Sequence, residues 1–454
     1  MRLLPLLLLA AAAHAQTAAD LPPADARGDL LLRGGTVLTV TNGTLESADV
    51  LVREGRIVEI GAGLEAPRGV PVVDATGRYV MPGIIDAHSH LGVDGPVNEA
   101  TNPVVAEVRI GDVLDPTDLG LYRALAGGVT TIHILHGSAN PIGGEGETIK
   151  LRYGTFDPEG LKFEAAPRTI KFALGENPTR VHGRGRGIRP RTRMGVEQTF
   201  REAFAEARRY REAQQAAEAA LGEGRPATPP PFSQRMETLA DVLDGDVLVH
   251  CHSYRADEIL MLLDVLADVG VERVTFQHVN EGFKIAPELA AWGPEGAGAS
   301  VFSDWWSYKF EVYYSTAYNA AILARNGVRA SVNSDSGELI RHLYHEAAKA
   351  QRYGDLSDDE ALALITIHPA WQLGIEDRVG SVEVGKDADL AVFEGHPLSV
   401  YARPVLTVVD GVVRFDAARD GDDMRLDVDP AQPLDEVRLA GHEDHRCLEG
   451  ALLF

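Results

Sequence analysis

His88 and His90 close the run Tyr79-Val-Met-Pro-Gly-Ile-Ile-Asp-Ala-His-Ser-His90 as two imidazoles two positions apart. Side chains at i and i+2 of a strand share one face, so the pair can present two nitrogens to one divalent metal ion. Two nitrogens do not make a site. Further ligands must come from other parts of the chain, and a catalytic centre keeps one position for water. Two histidines spaced by chance are the plainer alternative for so short a motif. The choice turns on whether other ligand-type residues, Lys171, His250, His252, His278 and Asp335, fall where a fold would bring them together.

From residue 84 to about 374, short apolar runs alternate with helical stretches, the pattern of parallel strands joined by helical crossovers. Strands are predicted at 84–86, 130–135, 147–151, 169–174, 247–250, 273–277, 299–302 and 329–333, which suggests an α/β fold built on a (β/α)8 TIM-like barrel. The longest helix is expected at 196–221, followed by a loop at 222–231 and a second helix at 236–243. Active-site groups of such barrels gather at the C-terminal ends of the strands. There the first strand ends in His88 and His90, Lys171 lies in the fourth, His250 and His252 end the fifth, His278 follows the sixth and Asp335 the eighth. Singly, each histidine reads as a hydrogen-bonded core residue and Asp335 as a helix cap. Jointly they read as a metal site.

Strand-like runs at 29–40, 48–60 and 70–80, with turn residues between them, return at 380–393 and 404–415. The two chain ends are therefore expected to form one small β-sandwich domain, 28–81 with 375–416, into which the barrel, 82–374, is inserted. No fold is assigned to the acidic 417–454 segment, and a chance cluster is the simplest reading of His442, His445 and Cys447 there.

The net charge of −24 over 454 residues argues against nucleic acid or an anionic membrane surface as the main partner. Residues 1–15 carry one positive charge, a short apolar run and an Ala13-His14-Ala15 ending, the layout of a signal peptide cleaved after Ala15. The run is too short to span a bilayer, and no cysteine follows to carry a lipid anchor. An exported protein, periplasmic or secreted from a bacterium, is expected. Cys251 and Cys447 could pair in an oxidising compartment, but a buried thiol and a separate tail thiol are the simpler reading.

These residues resemble the amidohydrolase superfamily, and within it the secreted imidazolonepropionase-like and dipeptidase-like amidohydrolases. The likeness covers the chain after the leader to about residue 415. It is carried by Pro82-Gly-Ile-Ile-Asp-Ala-His-Ser-His90, Gly127-Gly-Val-Thr-Thr131, His250, His278, Asp335 and Gly380-Ser-Val-Glu-Val-Gly-Lys-Asp-Ala-Asp-Leu390. The resemblance implies that His88, His90 and Asp335 hold the more buried of two divalent ions, with zinc expected, and that His250 and His278 hold the second. It implies that Lys171 is carbamylated and bridges both, since an ammonium has only donors. The alternative is a structural Lys171 with Glu176 approaching the metals instead. With His250 as the ligand of the fifth strand, His252 would lie outside the ligands or face substrate. Asp335 is expected to act as general base and then general acid in hydrolysis of an amide, cyclic amide or dipeptide-like small molecule.

The basic stretch from Arg180 to Arg193 reads either as a clamp for a substrate carboxylate or as a solvated loop. Trp305, Trp306, Tyr308, Tyr313 and Tyr314 either wall a pocket or pack the core. The competing functions are a mononuclear deaminase, whose relatives resemble His-x-x-Glu on strand five where this chain has Ser253, and an inactive scaffold relative, which would lack ligands. A homo-oligomer is left open.

Overall fold

The computed structural model describes residues 22–305 and 307–419. The expected leader, Trp306, Cys447 and the tail from 420 onward lie outside the described residues. The N-terminal strands are β1 (Leu30–Leu38), β2 (Thr44–Arg53), β3 (Arg56–Gly61), β4 (Val72–Asp74) and β5 (Tyr79–Pro82). The barrel strands are β6 (Ile84–Ser89), β7 (Val129–Ile134), β8 (Ile142–Lys150), β9 (Arg168–Ala173), β10 (Val247–His252), β11 (Val274–Gln277), β12 (Gly298–Val301) and β13 (Ala330–Val332). The chain returns to the first sheet with β14 (Leu390–Glu394), β15 (Arg403–Val409) and β16 (Val412–Asp416).

Barrel strands pair in sequence order from β6 to β13, each falling on one of the predicted runs. One departs from the expected parallel arrangement: β8 is antiparallel to both β7 and β9. The reason lies in the link from Ile134 to Ile142, which is far shorter than the roughly dozen residues a parallel crossover needs. Between β13 and β6 the segment following the helix Asp358–Ala363 closes the gap, with Val332 N–H donating to Leu364 O (3.0 Å) and Ile85 N–H to Ile365 O (2.9 Å).

Strand parity sorts the side chains. On β9, Phe172 points outward against Phe200 and Phe204, with ring centroids 5.2 and 6.0 Å away, which turns Lys171 into the barrel. Those phenylalanines belong to α1 (Arg193–Gly222), whose Val196, Phe200, Phe204 and Ala207 repeat at helical spacing along its buried face. Next comes α2 (Gln234–Asp244), so both helices predicted in this region are present.

The chain ends form one continuous sheet, β16-β15-β14-β5-β1-β2-β3, with β4 on β1. It is a branched sheet rather than two separately paired ones. The register of β1 with β2 shifts around Gly35, and the first half of β1 pairs with β4 and its second half with β5. Leu30, Leu32, Val50, Val52, Val80, Leu390, Val392 and Val408 gather on its apolar side into one core. Gly83, between β5 and β6, is required by close approach: a Cβ there would run into the Thr130 side chain. The barrel is pinned to this sheet by fully buried Lys150, at the end of β8, whose Nζ lies 2.8, 3.0 and 2.6 Å from Asp387, Asp389 and Asp410. Two of these aspartates come from the Gly380…Leu390 run.

Candidate active site

At the C-terminal mouth of the barrel, ligand atoms of His88, His90 and Asp335 lie within 4.8 Å of one another. One carboxylate meets three imidazoles: Asp335 Oδ1 is 3.5 Å from His88 Nε2 and 3.3 Å from His90 Nε2, and Oδ2 is 3.5 Å from His278 Nε2. The main chain builds this meeting point. His278 and Asp335 both take positive φ, +64° and +44°, a conformation uncommon outside glycine and concentrated at functional sites. Asp335 N–H also donates to His88 O (3.1 Å), tying the eighth strand end to the first.

Lys171 reaches the same cluster, its Nζ 3.1 Å from His88 Nε2. Glu176, the alternative, faces elsewhere: its carboxylate pairs with Arg180 (3.2 Å) and stands 3.8 Å from Lys309. His250 is in register with Lys171 on the neighbouring strand and so shares its face of the barrel wall. It stands apart from the Asp335 cluster, its ring 4.5 Å from that of His133 and its Nδ1 3.1 Å from Gln277 Nε2. His252 lies one step toward the mouth, its ring 5.1 Å from that of His278.

The chemistry of this donor set fits a divalent metal. Burial first, and the Lys171 charge after it, hold the His88 imidazole well below its ordinary range; burial does the same to His250 and His252, and brings His278 down to about 3. All four are neutral at pH 7, the form that donates a lone pair. His250 Nε2 and both ring nitrogens of His278 are buried without a hydrogen-bond partner. His90 Nδ1 lies 2.8 Å from Leu135 O, so its proton sits there and Nε2 is left to face Asp335, the arrangement usual for a metal-binding histidine. Burial works to raise the Asp335 carboxyl, but the imidazoles around it and the Lys171 ammonium hold it below the usual range.

Of the residues expected to meet substrate, His252 and Tyr308 sit beside the cluster. Asn177 links His252 Nε2 (3.2 Å) to Lys309 Nζ (3.2 Å), and Tyr308 OH lies 3.0 Å from Tyr254 OH. Phe302 stacks on His278 at 4.6 Å and Trp305 on Phe302 at 4.5 Å, so part of the aromatic run does wall the site, whereas Tyr313 and Tyr314 are exposed. The two arginines correct the expected carboxylate clamp. Arg193 holds the buried carboxylates of Glu258 and Glu311, and Arg180 pairs with Glu176, so both arginines have partners within the protein itself. Gly175 takes φ +77°, and a Cβ there would press on Glu311. Sequence reading missed His133, Asn177, Gln277 and Lys309. Only His133 carried a signal, as the inward partner of Thr131 on a strand of alternating parity.

A sequence model of the amidohydrolase family matches residues 235–415. An amidohydrolase from Thermotoga maritima MSB8, known from its crystal structure, is 34% identical and superposes with a TM-score of 0.78 over 85% of this chain and 100% of its own. The amidohydrolase tasK of Hapsidospora irregularis is 35% identical over 395 residues, 81% of this chain; the chain spans only 40% of that relative's length. A 5-methylthioadenosine/S-adenosylhomocysteine deaminase of Symbiobacterium thermophilum is 25% identical over 85% of this chain and 93% of its own.

Proposed function

The chain belongs to the amidohydrolase family, and on that premise we propose that it is a metal-dependent hydrolase of carbon–nitrogen bonds in a small amide, cyclic amide or dipeptide-like substrate. The observation that carries this reading is the convergence of His88, His90, Lys171, His278 and Asp335 on one buried cluster, with His250 on the same wall. Members of this family generally use divalent metals. In our reading His88, His90 and Asp335 hold one ion and His250 and His278 a second, both zinc. Lys171, carbamylated by carbon dioxide, would supply an anionic oxygen ligand to the pair, since its free ammonium would repel a cation and offers no lone pair.

A divalent ion held there supplies Lewis acidity, polarising a carbonyl and bringing the ionisation of water into the neutral range. The remaining steps belong to the protein. Asp335, ionised and set among imidazoles, takes the proton of the attacking water and returns it to the departing amine. His252 and Tyr308 border the space beside the ligands and orient the substrate, while Phe302 and Trp305 exclude water from one side. Residues 1–15 act, in this proposal, as an export signal, placing the enzyme in the periplasm or outside the cell.

Purified protein is to be incubated with N-acyl amino acids, dipeptides and cyclic amides, with and without a chelator. The proposal predicts release of a primary amine or carboxylate, abolished by chelation and restored by zinc. Release of ammonia from an aminopurine nucleoside, with no amide cleaved, would instead favour the deaminase reading that the 25%-identical relative raises.

A further inference from the structure

Gln277 is fully buried at the end of β11, immediately before His278, and pairs in register with His252 on β10. Its backbone is pinned, since its carbonyl accepts from Ser253 N–H at 3.0 Å and from the Ser253 hydroxyl at 3.2 Å. Its amide nitrogen lies 3.1 Å from His250 Nδ1 and 3.4 Å from Ala87 O, while Oε1 is buried with no hydrogen-bond partner.

This arrangement contains a conflict. An amide N–H donated to Nδ1 requires the lone pair there, so the His250 proton must sit on Nε2, itself buried and without a partner. A protonated nitrogen cannot ligate. Half a turn of the amide about its last torsion resolves the conflict at His250, while it moves the NH2 group to the place Oε1 held and sets Oε1 near Ala87 O. Oε1 then accepts from Nδ1–H, the orphaned oxygen gains a donor, and the Nε2 lone pair is released. Amide oxygen and nitrogen are nearly the same size, so the turn needs no repacking. Ala87 O is not abandoned, because His133 Nδ1 stands 3.3 Å away.

We propose that Gln277 is a positioning residue that sets the His250 tautomer: its amide oxygen holds the proton on Nδ1, and metal binding at His250 selects the turned amide. The inference rests on the metal reading of the site and adds to it the residue that makes His250 competent. Partners of this kind hold the second nitrogen of a ligating histidine, and their loss costs roughly 10- to 100-fold in metal affinity.

The test is a zinc titration against a competing chelator with the wild-type chain, Gln277→Met and Gln277→Glu, alongside their thermal unfolding. Met keeps the length but has no acceptor, and its more weakly held ion is expected to bind about 10- to 100-fold less tightly. Glu keeps the acceptor and is expected to bind within a few-fold of wild type. Wild-type affinity in Gln277→Met, or an equal loss in Gln277→Glu, overturns the proposal. Long-range proton–nitrogen spectra of the zinc-loaded wild type with labelled histidine bear on it without any variant: His250 protonated at Nδ1 supports it, and at Nε2 refutes it. A wild-type chain that binds no zinc would overturn the metal reading and this inference together.

Discussion

Asp335 is the residue on which the chemistry turns, within 3.5 Å of His88 and His278 and 3.3 Å of His90. As both ligand and base it cannot be replaced by its amide: Asp335→Asn is expected to lower kcat by roughly 100- to 10,000-fold, the usual contribution of a positioned base. Steady-state kinetics on any substrate found in the screen measures this, and a kcat within a few-fold of wild type would remove Asp335 from the mechanism. That His88, His90, Lys171, His278 and Asp335 would lie near one another was legible in the sequence because each is a polar residue at the end of, or facing inward from, an otherwise apolar strand. The partners of Arg180 and Arg193 were not legible, for a physical reason. A sequence displays the cations of a basic loop but not the anions folding brings to them, and Glu258 and Glu311 come from far along the chain to meet Arg193. Asn177 and Gln277 left no signal, since a lone amide looks the same in a loop, a core or a ligand's outer support.

At the scale of the element, the eight barrel strands were predictable from their apolar runs, but the direction of β8 was not read. It is fixed by the short link before it rather than by its own residues. That strand carries Glu147, whose carboxyl burial pushes from an ordinary 4.5 up to about 7. A carboxyl with a raised folded pKa binds its proton more tightly in the folded than in the unfolded chain. Its protonation therefore favours the folded state, and that contribution is lost as pH rises from about 4.5 through about 7. Glu147→Gln removes the penalty of the buried charge. It is expected to raise the unfolding temperature at pH 8 and to give little or no gain at pH 4, as scanning calorimetry at the two pH values would show. An equal gain at both would mean the charge is not the cause.

For the whole molecule, the Gly380…Leu390 run is now seen to do structural work at a distance from the chemistry. Its Asp387 and Asp389, with Asp410, surround Lys150 and lock the sheet of the chain ends onto the barrel. Removing the cation leaves Asp389 buried with its charge uncompensated, while Arg378 and Arg152 still pair with Asp387 and Asp410, so Lys150→Met is expected to cost about 3–5 kcal/mol in denaturant unfolding, as for other buried pairs broken on one side. A loss under about 1 kcal/mol would mean that the cluster relaxes to water, as exposed pairs do. That both chain ends share one sheet was legible from the return of β texture after the helices. The branching at β1 was not, because it depends on which edge each short strand finds. Whether this scaffold holds a metal centre to which Lys171 contributes is decided by elemental mass spectrometry of the purified wild type and of Lys171→Ala. About two divalent ions per wild-type chain and fewer in the variant are expected. A folded wild-type protein carrying no divalent metal, and taking none up when it is supplied, would contradict the metal reading.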